Sequence, residues 1–229
     1  TTNVSSAWGM YIYQSPNSTI EENTIITNET DSHGIYSYYN DNILIRDNLV
    51  TILEESYALY ISDNTHAEII NNTLNTTFAD SMGMYVYHSY ENISIIENRI
   101  TANGSSTVGI YAREVADLLI YNNTINSWGD GVFLYSDSFD INVSSNTIVT
   151  NGGYGDGVVV NDCYNSSIDR NNITTYNSDA DGLGFYYCNN ISAETNNIST
   201  YGSTSNGVYF QYGSNVSVVD NTITTNCTN

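Results

Sequence analysis

A repeat of about 25 residues runs through this chain and constrains its fold more than any other feature. An asparagine followed two residues later by an aliphatic residue returns nine times, at intervals of 23 to 26 residues. We call these residues the ladder asparagines: Asn23, Asn48, Asn72, Asn98, Asn123, Asn146, Asn171, Asn196 and Asn221. Self-similarity at a fixed period is the signature of repeat architectures, so we expect a single repeat domain over residues 1–229.

Each repeat contains short runs in which apolar and polar residues alternate. One run follows a glycine (an alanine at position 58), a second follows an Asn, Asp or His six residues before the ladder asparagine, and a third follows the ladder asparagine itself. These runs define 45 inward positions, of which 42 are apolar and three are Ser18, Ser37 and Ser166. A period of two is typical of strands with one buried face, and no stretch has the spacing of an amphipathic helix.

The same three runs return in the same direction in every repeat, which does not suit a sandwich built from hairpins. A solenoid satisfies the pattern, because each repeat then makes one turn and its strands pair in parallel with those above and below. The sequence therefore predicts an all-β, single-stranded parallel β-helix of nine coils of about 25 residues, with three short strands per coil. At about 4.8 Å per strand, nine coils would give a rod about 43 Å long.

The recurring N-x-[ILV] and G-[IV]-Y segments resemble those of right-handed parallel β-helix repeat proteins, specifically the NosD-like group common on archaeal cell surfaces. The resemblance extends over all nine repeats and implies a right-handed solenoid. It does not choose a function, because this fold hosts lyases, hydrolases, adhesins and structural fibres.

The ladder asparagines share the inward parity of the aliphatic residue that follows each of them. We interpret them as a stacked amide ladder at a turn, with hydrogen bonds running along the solenoid axis. Replacing one by leucine would leave neighbouring amides unsatisfied and cost about 1–3 kcal/mol.

The charge balance excludes several classes of function. The chain has 25 acidic residues, four arginines and no lysine, for a formal net charge of −21. Nothing is available to neutralise a nucleic-acid backbone or an anionic membrane, so we expect neither partner. Kinase, P-loop and Schiff-base chemistry each need a lysine. No apolar run approaches the 18 residues of a membrane-spanning helix.

Fifteen asparagines stand in N-x-[ST] sequons, although chance explains many of them in a chain this rich in Asn, Ser and Thr. No ladder asparagine is among them, because the residue two positions on is always aliphatic. The acceptors that we favour for N-glycosylation are Asn28, Asn75, Asn103 and Asn226, followed by Asn3, Asn122 and Asn142. Sequons favour an extracellular or cell-surface location.

Cys163 and Cys188 both lie six residues after the glycine of their repeat. The stacking of coils places their Cα atoms about 5 Å apart, which suits a disulfide. Two stacked buried thiols fit the spacing nearly as well. Cys227 has no partner in its column, so either an intermolecular bond or a free thiol is compatible with its position.

The spacing alone gives no catalytic constellation. The arginines and histidines fall in different repeats at different offsets, and no nucleophile–base pair can be assembled. Asp130, Asp156 and Asp181 precede their glycines in consecutive repeats and are weak candidates for a Ca²⁺ site, since stacked carboxylates repel one another unless a cation or protons intervene. An Asp-Gly turn explains them better. We therefore expect no enzymatic activity and no cofactor.

An outward aromatic stripe is the strongest feature that the fold does not require. Twelve of the 18 positions two and four residues after the glycines are aromatic. The residues that we expect to form a contact face are Tyr11, Tyr36, Tyr60, Tyr85, Tyr111, Phe133 and Tyr209. Ring stacking that only stiffens the rod is the plainer interpretation. A contiguous patch of this length otherwise indicates binding to a neighbouring rod or to sugar rings.

The repeat reaches within a few residues of both ends, with no capping helix. Uncapped coils invite association, so either flanking domains are missing or subunits stack end to end. The leading hypothesis is a self-assembling, N-glycosylated filament, sheath or surface-layer subunit whose partner is a second copy of itself. A carbohydrate-binding or adhesive surface module is the alternative, and a polysaccharide lyase or hydrolase is a weaker one.

Overall fold

The computed structural model describes residues 6–226, and all of its regular secondary structure is β-strand. The described residues form a parallel solenoid of nine coils, as predicted, and no helix among them is long or apolar enough to cross a membrane. Strand pairing is parallel throughout, with a register of one coil: Tyr60 pairs with Tyr85, and Tyr85 pairs with Tyr111. Equivalent residues therefore lie directly over one another along the axis.

Two sheets form the wall of the solenoid, one of nine strands and one of 15. The nine-stranded sheet contains the strand that follows each ladder asparagine. These strands are β3 (Thr24–Thr27), β6 (Leu49–Ile52), β9 (Thr73–Thr76), β12 (Arg99–Ala102), β14 (Thr124–Ser127), β16 (Thr147–Thr150), β18 (Asn172–Thr175), β21 (Asn197–Thr200) and β24 (Thr222–Thr225).

In the first four and last two coils, the 15-stranded sheet takes two separate strands from each coil. Those that follow the glycine or alanine are β1 (Met10–Tyr13), β4 (Ile35–Tyr38), β7 (Tyr57–Ser62), β10 (Met82–Ser89), β19 (Leu183–Tyr186) and β22 (Val208–Gln211). Those that follow them are β2 (Thr19–Glu21), β5 (Asp41–Arg46), β8 (Thr65–Ile70), β11 (Ile93–Ile96), β20 (Asn189–Glu194) and β23 (Ser214–Val219).

Coils five to seven depart from the predicted three strands, because their first two strands run together. The joined strands are β13 (Val108–Tyr121), β15 (Val132–Ser144) and β17 (Val158–Asp169). Their ladders continue around the bend with a register shift, between Arg113 and Ala116 and again between Tyr135 and Ser138. Because backbone pairing persists through the corner, these coils have two strands instead of three.

The corners are built on residues in the left-handed backbone region. The Asn, Asp or His six residues before each ladder asparagine has φ between 48° and 59°, and the residue directly before each ladder asparagine also has positive φ. Asn and Asp adopt this region at lower cost than most residues, which explains their recurrence at the first of these positions.

The glycines of the repeat do not make turns, since none of them has positive φ. Gly34 instead lies where the wall of the coil is tightest. A Cβ atom there would meet Val50 Cγ1 at 2.2 Å and the carbonyl oxygen of Ala58 at 2.5 Å. At Gly131, Gly157 and Gly182, which follow the candidate aspartates, a Cβ would likewise lie 2.5 Å from the carbonyl oxygen of the next glycine in the column. At the expected Asp-Gly turns it is therefore close backbone approach, and not left-handed φ, that requires glycine.

Inside the wall, aliphatic side chains from every coil form one continuous core. The predicted polar exception Ser37 is fully buried, and the side-chain amides of Asn40 and Asn64 donate to its Oγ at 2.9 and 3.0 Å. In the last coil the inward residues Phe210 and Ile223 are 60% and 44% exposed, because no described coil covers them.

The ladder asparagines line one corner of the core. The Asn72 side-chain oxygen accepts both the backbone N–H and the side-chain amide of Asn48, each at 3.0 Å. The amide of Asn72 donates in turn to the carbonyl oxygen of Ile45 and to Asn98. The seven inner ladder asparagines are at most 2% exposed, so their polar groups are satisfied without water.

Candidate functional site

The outward side chains of the first strands form a surface that we call the tyrosine face. It consists of the positions two and four residues after each glycine or alanine, and its rings contact one another from coil to coil. The ring centroids of Tyr36 and Tyr60 are 4.6 Å apart, those of Tyr60 and Tyr85 are 5.0 Å apart, and those of Tyr85 and Tyr111 are 5.1 Å apart.

The predicted contact-face residues are not one unbroken row. Ring contact continues from Tyr11 through Tyr36 to Tyr111 and on to Phe133, with 5.2 Å between the centroids of the last two. Val159 and Gly184 occupy the next two positions, so Tyr209 is separated and instead contacts Tyr186 at 5.6 Å. The aromatic surface is therefore concentrated in the first six coils.

The phenols of Tyr60 and Tyr85, in the middle of the tyrosine face, remain protonated at neutral pH. Burial between neighbouring rings raises the pKa of Tyr85 to about 12, and it raises the pKa of Tyr60 further. A protonated phenol donates and accepts hydrogen bonds but is a poor base. These tyrosines are suited to binding a ligand through ring and hydroxyl and not to removing a proton from it.

A histidine–aspartate pair lies at the edge of this face, on the third and fourth coils. His88 Nδ1 is 2.5 Å from Asp63 Oδ1. The Ser62 hydroxyl donates to the other carboxylate oxygen, Oδ2, at 2.7 Å. The Asp63 side chain is only 15% exposed, whereas that of His88 is 46% exposed. Asp63 is thus held on both oxygens beneath an imidazole that reaches solvent.

Two rings lie next to His88: Tyr87, which belongs to the tyrosine face, and Tyr90, which lies beyond it. The centroid of the His88 ring is 5.7 Å from that of Tyr87 and 5.0 Å from that of Tyr90. Tyr87 in turn stacks on Tyr85 at 6.0 Å. A ligand that lies on the tyrosine face would therefore also meet the imidazole.

The fifth coil adds a cation and a second carboxylate next to His88. Arg113 pairs in register with Tyr87, and its guanidinium carbon is 5.7 Å from the Tyr87 ring centroid and 5.8 Å from that of Tyr135. Both Nε and Nη2 of Arg113 lie 3.0 Å from Glu114 Oε1. Cation–π contact and the ion pair together fix the guanidinium on the face.

The backbone at this corner explains why these side chains converge. Asp63, His88 and Glu114 occupy equivalent positions on successive coils, and their φ angles are 51°, 50° and 53°. The same left-handed conformation recurs at the other corners of the solenoid, so it directs these side chains outward without distinguishing them as a functional site. Stacking then places the three side chains about 4.8 Å apart along the axis.

This arrangement is able to transfer protons. When the Nδ1–H of His88 donates to Asp63, the other ring nitrogen, Nε2, has a free lone pair, and no residue between 6 and 226 hydrogen-bonds to it. The carboxylate fixes the tautomer and stabilises the imidazolium that forms when Nε2 takes a proton. Proton transfer by a positioned histidine contributes about 10²–10⁴-fold to a reaction rate.

The other two histidines lie in different surroundings. His66 Nδ1 is 2.9 Å from Asp41 Oδ1 on the adjoining corner, where both side chains are at least half exposed. His33 stacks on Tyr57 and Tyr60, and burial lowers its pKa to about 4, so it is neutral at pH 7. His33 completes the ring stack and, with its lowered pKa, is a weak base at that pH.

The aspartates considered for calcium form a buried ladder of their own. Asp130 Oδ1 accepts the backbone N–H of Asp156 at 2.8 Å, and Asp156 Oδ1 accepts that of Asp181 at 2.6 Å. Burial raises the pKa of Asp130 to about 6 and that of Asp156 to about 8. Residues 6–226 contain no group of three or more His, Cys, Asp or Glu side chains arranged to hold a metal ion. Backbone N–H groups occupy the carboxylates instead.

The disulfide between Cys163 and Cys188 is not formed, and both are free, buried thiols. They belong to an interior column in which Asn40 and Ser89 accept backbone N–H groups from the coil before them. Cys163 Sγ contacts the carbonyl oxygen of Asn161 at 3.1 Å, and Cys188 Sγ contacts that of Val160 at 2.9 Å. Each thiol is thus engaged with the backbone of its corner. Cys227 lies outside the described residues.

The predicted glycosylation sites differ in exposure. Asn103, Asn122 and Asn226 are exposed, whereas Asn75 is intermediate. Asn28 and Asn142 are also intermediate, and their side-chain oxygens are buried without a hydrogen-bond partner. Asn3 lies outside the described residues. Glycosylation stays a prediction at all seven sequons.

Sequence reasoning missed the Asp63–His88 pair, although a signal for it was present. The two residues are 25 positions apart, one repeat, and so are Asp41 and His66. Comparing the histidines with residues one coil away, rather than with one another, would have found both pairs. The structure thus brings together two histidine–aspartate pairs that spacing within one repeat did not indicate, and the expectation of no catalytic residues stays a prediction.

Comparisons with known proteins identify the fold. Residues 2–74 and 50–176 match the family described as "Right handed beta helix region". A search of curated protein sequences gives no match.

Solved structures with the same architecture include two epimerases, of mannuronan and of alginate, and one enzymatically active phage tailspike domain. The mannuronan C-5 epimerase AlgE4 A-module of Azotobacter vinelandii superposes with TM-score 0.63 and 17% identity, over 92% of this chain and 62% of that one. A double mutant of the periplasmic alginate epimerase AlgG gives TM-score 0.68 and 14% identity, over 87% of this chain and 50% of the other. The enzymatically active domain of bacteriophage CBA120 tailspike protein 2 gives TM-score 0.56 and 11% identity, over 90% and 39%.

This chain spans less than two thirds of the length of each of these structures. At such low identity the similarity establishes the fold alone. The comparisons nevertheless overturn two expectations, a structural filament subunit and a chain without enzymatic activity, because two of these neighbours are epimerases of mannuronan and alginate and the third is an enzymatically active domain. The matched segments cover more than half of the 229 residues, and the chain belongs to the right-handed β-helix family.

Proposed function

We propose that this protein is a carbohydrate-active enzyme that binds a polysaccharide along its tyrosine face and transfers a proton at His88, oriented by Asp63. The observation that carries the proposal is the 2.5 Å contact between His88 and Asp63 at the edge of a row of half-buried, outward-facing aromatic rings. The mannuronan and alginate epimerases with this fold support the substrate class.

The tyrosine face suits a sugar polymer because it combines flat apolar rings with hydroxyl groups. Sugar rings present apolar C–H faces and polar edges, and tyrosine provides an apolar body with a polar tip. Tyr36, Tyr60, Tyr85 and Tyr111 repeat at the coil spacing of about 4.8 Å. Successive sugars of an extended chain would therefore meet a similar surface at each step.

The chemical step is assigned to His88 because no other described side chain of the face combines a free basic nitrogen with an orienting carboxylate. Tyr60 and Tyr85 have pKa values raised by burial, and Arg113 is held by Glu114. His88 Nε2 accepts a proton from the substrate or from an attacking water, and Asp63 stabilises the resulting positive charge.

The activity is tested by incubating the purified chain with a panel of polysaccharides. Hydrolysis is read from new reducing ends, elimination from the ultraviolet absorbance of unsaturated products, and epimerisation from nuclear magnetic resonance of the polymer. We expect His88→Ala to abolish the product, and His66→Ala, the matched histidine on the exposed corner, to retain it. Product formation by His88→Ala at the wild-type rate, or no product from any polymer, would refute the proposal.

The setting of the protein is a further part of the proposal. N-x-[ST] sequons at exposed positions such as Asn103 and Asn122 support an extracellular, N-glycosylated surface protein of the NosD-like type. Intact-mass measurement before and after enzymatic deglycosylation of native material tests this; an unmodified mass would count against it.

A further inference from the structure

The electrostatics of the tyrosine face restrict the glycan that it binds. Four carboxylates lie along the corner that borders the face, one each in the third, fifth, sixth and seventh coils, and His88 takes this place in the fourth coil. The carboxylates are those of Asp63, Glu114, Asp137 and Asp162. The chain as a whole carries a formal net charge of −21, so the long-range field reinforces this local charge.

The cations that would offset these carboxylates are largely absent from the face. The protein has four arginines and no lysine. Arg46 pairs with Glu21, Arg170 pairs with Asp169, and Arg99 lies on β12 in the nine-stranded sheet. Arg113 is the arginine of the tyrosine face, and Glu114 occupies both its Nε and its Nη2 at 3.0 Å.

The histidines of the face add little positive charge. His33 is neutral at pH 7, because burial lowers its pKa to about 4. His88 is already paired with the carboxylate of Asp63.

The pKa of a nearby phenol reflects the same negative charges. Burial first, and then the charge of Glu114, raise the pKa of Tyr90, with smaller contributions from Asp137 and Asp63. An anion added beside Tyr90 would meet these same charges.

Resting on the proposed function, we infer that the glycan which binds the tyrosine face carries no carboxylate or sulfate groups. A uronate residue there would bring its carboxylate against Asp63 and Glu114 with no unpaired cation to receive it. Like-charge juxtaposition across an interface is strongly unfavourable, whereas hydroxyl groups and C–H faces of an uncharged sugar are suited to tyrosine. This separates the chain from the mannuronan and alginate epimerases that share its fold, since those polymers are polyanions.

The test is binding of matched oligosaccharide pairs that differ in the C6 carboxylate. Suitable pairs of equal length are oligomannose and oligomannuronate, cello-oligosaccharide and oligoglucuronate, and oligogalactose and oligogalacturonate. Calorimetry with the full chain measures each affinity at low and physiological salt. In every pair that binds, we expect the uncharged member to bind at least ~10-fold more tightly, with no dependence on salt.

Glu114→Gln sharpens the test because it releases Arg113 and removes one carboxylate. We expect this substitution to narrow the preference for the uncharged member several-fold by improving uronate binding. Asp137→Asn changes an exposed residue of the same corner, and we expect it to shift the ratio in the same direction by less. Melting temperature and circular dichroism establish that each variant is folded.

The outcomes separate the two claims. A charged member that binds as tightly as its uncharged partner, together with product formation from that polymer, would overturn the inference and leave the enzymatic function intact. Absence of binding and product with every pair would overturn the proposed function, and this inference with it.

Discussion

Two histidine–aspartate pairs with the same design lie on neighbouring corners of the solenoid. Asp63 and His88 are 25 residues apart, as are Asp41 and His66, and each pair joins Nδ1 to Oδ1, at 2.5 and 2.9 Å. Their surroundings differ: the side chain of Asp63 is 15% exposed and that of Asp41 is 63% exposed.

Stacking of the coils brings histidine and aspartate together at both places, but the residues around each pair determine whether it is shielded from solvent. Asp63 has its second oxygen bound by Ser62, and rings of the tyrosine face lie beside its partner His88. Asp41 receives Thr65 and His66 on one oxygen in open solvent, and these hydrogen bonds lower its pKa. Solvent screens an exposed pair, so it contributes little to stability or to chemistry.

The largest expected effect is on catalysis. Asp63→Asn should lower kcat by about 10²–10⁴-fold, because the amide no longer stabilises the imidazolium of His88. Asp41→Asn, the matched change on the exposed corner, should leave kcat within a factor of about two. Steady-state rates on the polysaccharide that the panel identifies measure both. Equal losses of kcat in the two variants would show that proximity to the tyrosine face does not make the Asp63–His88 pair catalytically different from Asp41–His66.

The next effect concerns stability and extends the comparison to a buried carboxylate. The folded pKa of Asp156 is raised to about 8 by burial, so the folded state holds its proton more tightly than the unfolded chain does. Stability from this group is therefore greatest below about pH 4 and falls as pH rises toward 8. Asp41 has the opposite effect on the pH dependence of stability. Its pKa is lowered in the folded state, so its ionised carboxylate stabilises the folded state above the pKa of the unfolded chain, and this stabilisation is lost as pH falls.

We expect Asp156→Asn to stabilise the protein at pH 8 by about 2 kcal/mol, or roughly 4–8 °C in melting temperature, with little change at pH 4. The last position of this column is already an asparagine, Asn206, and its side-chain amide donates to Asp181 at 2.9 Å. Melting curves between pH 4 and 8 test the slope. If the melting temperature of Asp156→Asn still falls between pH 4 and 8 as in the wild type, other titratable groups cause the pH dependence.

A smaller effect is expected for ligand binding through the rings. Tyr85→Ala should weaken glycan affinity by about 2–12-fold, since aromatic contacts of this kind contribute about 0.5–1.5 kcal/mol. Tyr201→Ala is the control, because Tyr201 stacks on Tyr176 after the third strands and away from the face. Titration calorimetry compares the two, and equal weakening would indicate a general loss of structure.

The smallest expected effect is that of removing the exposed pair. His66→Ala should leave the melting temperature and the glycan affinity unchanged within error, because both partners are already solvated. A clear loss of stability would show that the exposed corner does more than its solvent contact indicates.

Much of the fold could be predicted because stacking imposes its period on the sequence. The ladder asparagines indicate the length of one coil, because each side-chain amide hydrogen-bonds to the equivalent asparagine one turn away. The joined strand β13 could not be predicted, because it depends on whether backbone pairing persists around a corner. The fate of Cys163 and Cys188 likewise depends on local geometry: alignment permits a disulfide, while nearby carbonyl groups engage each thiol separately.

The candidate site was only partly predictable. The outward stripe from Tyr11 to Phe133 follows from parity alone, and its rings do form a row. His88 carried no sign of its role within its own repeat, because its partner Asp63 belongs to the coil before it. A motif divided between coils is invisible to a search for local spacing.

The sequence by itself determined that this chain winds, which side of each strand faces the core, and where the aromatic rings emerge. Those properties follow from alternation and period, which are local and repeat in every coil. Only the tertiary structure decided that Asp63 and His88, and not Asp41 and His66, lie beside the tyrosine face. The reason is physical: burial and neighbouring rings come from residues one or two coils away, and these determine whether a hydrogen-bonded pair is solvated or part of a site.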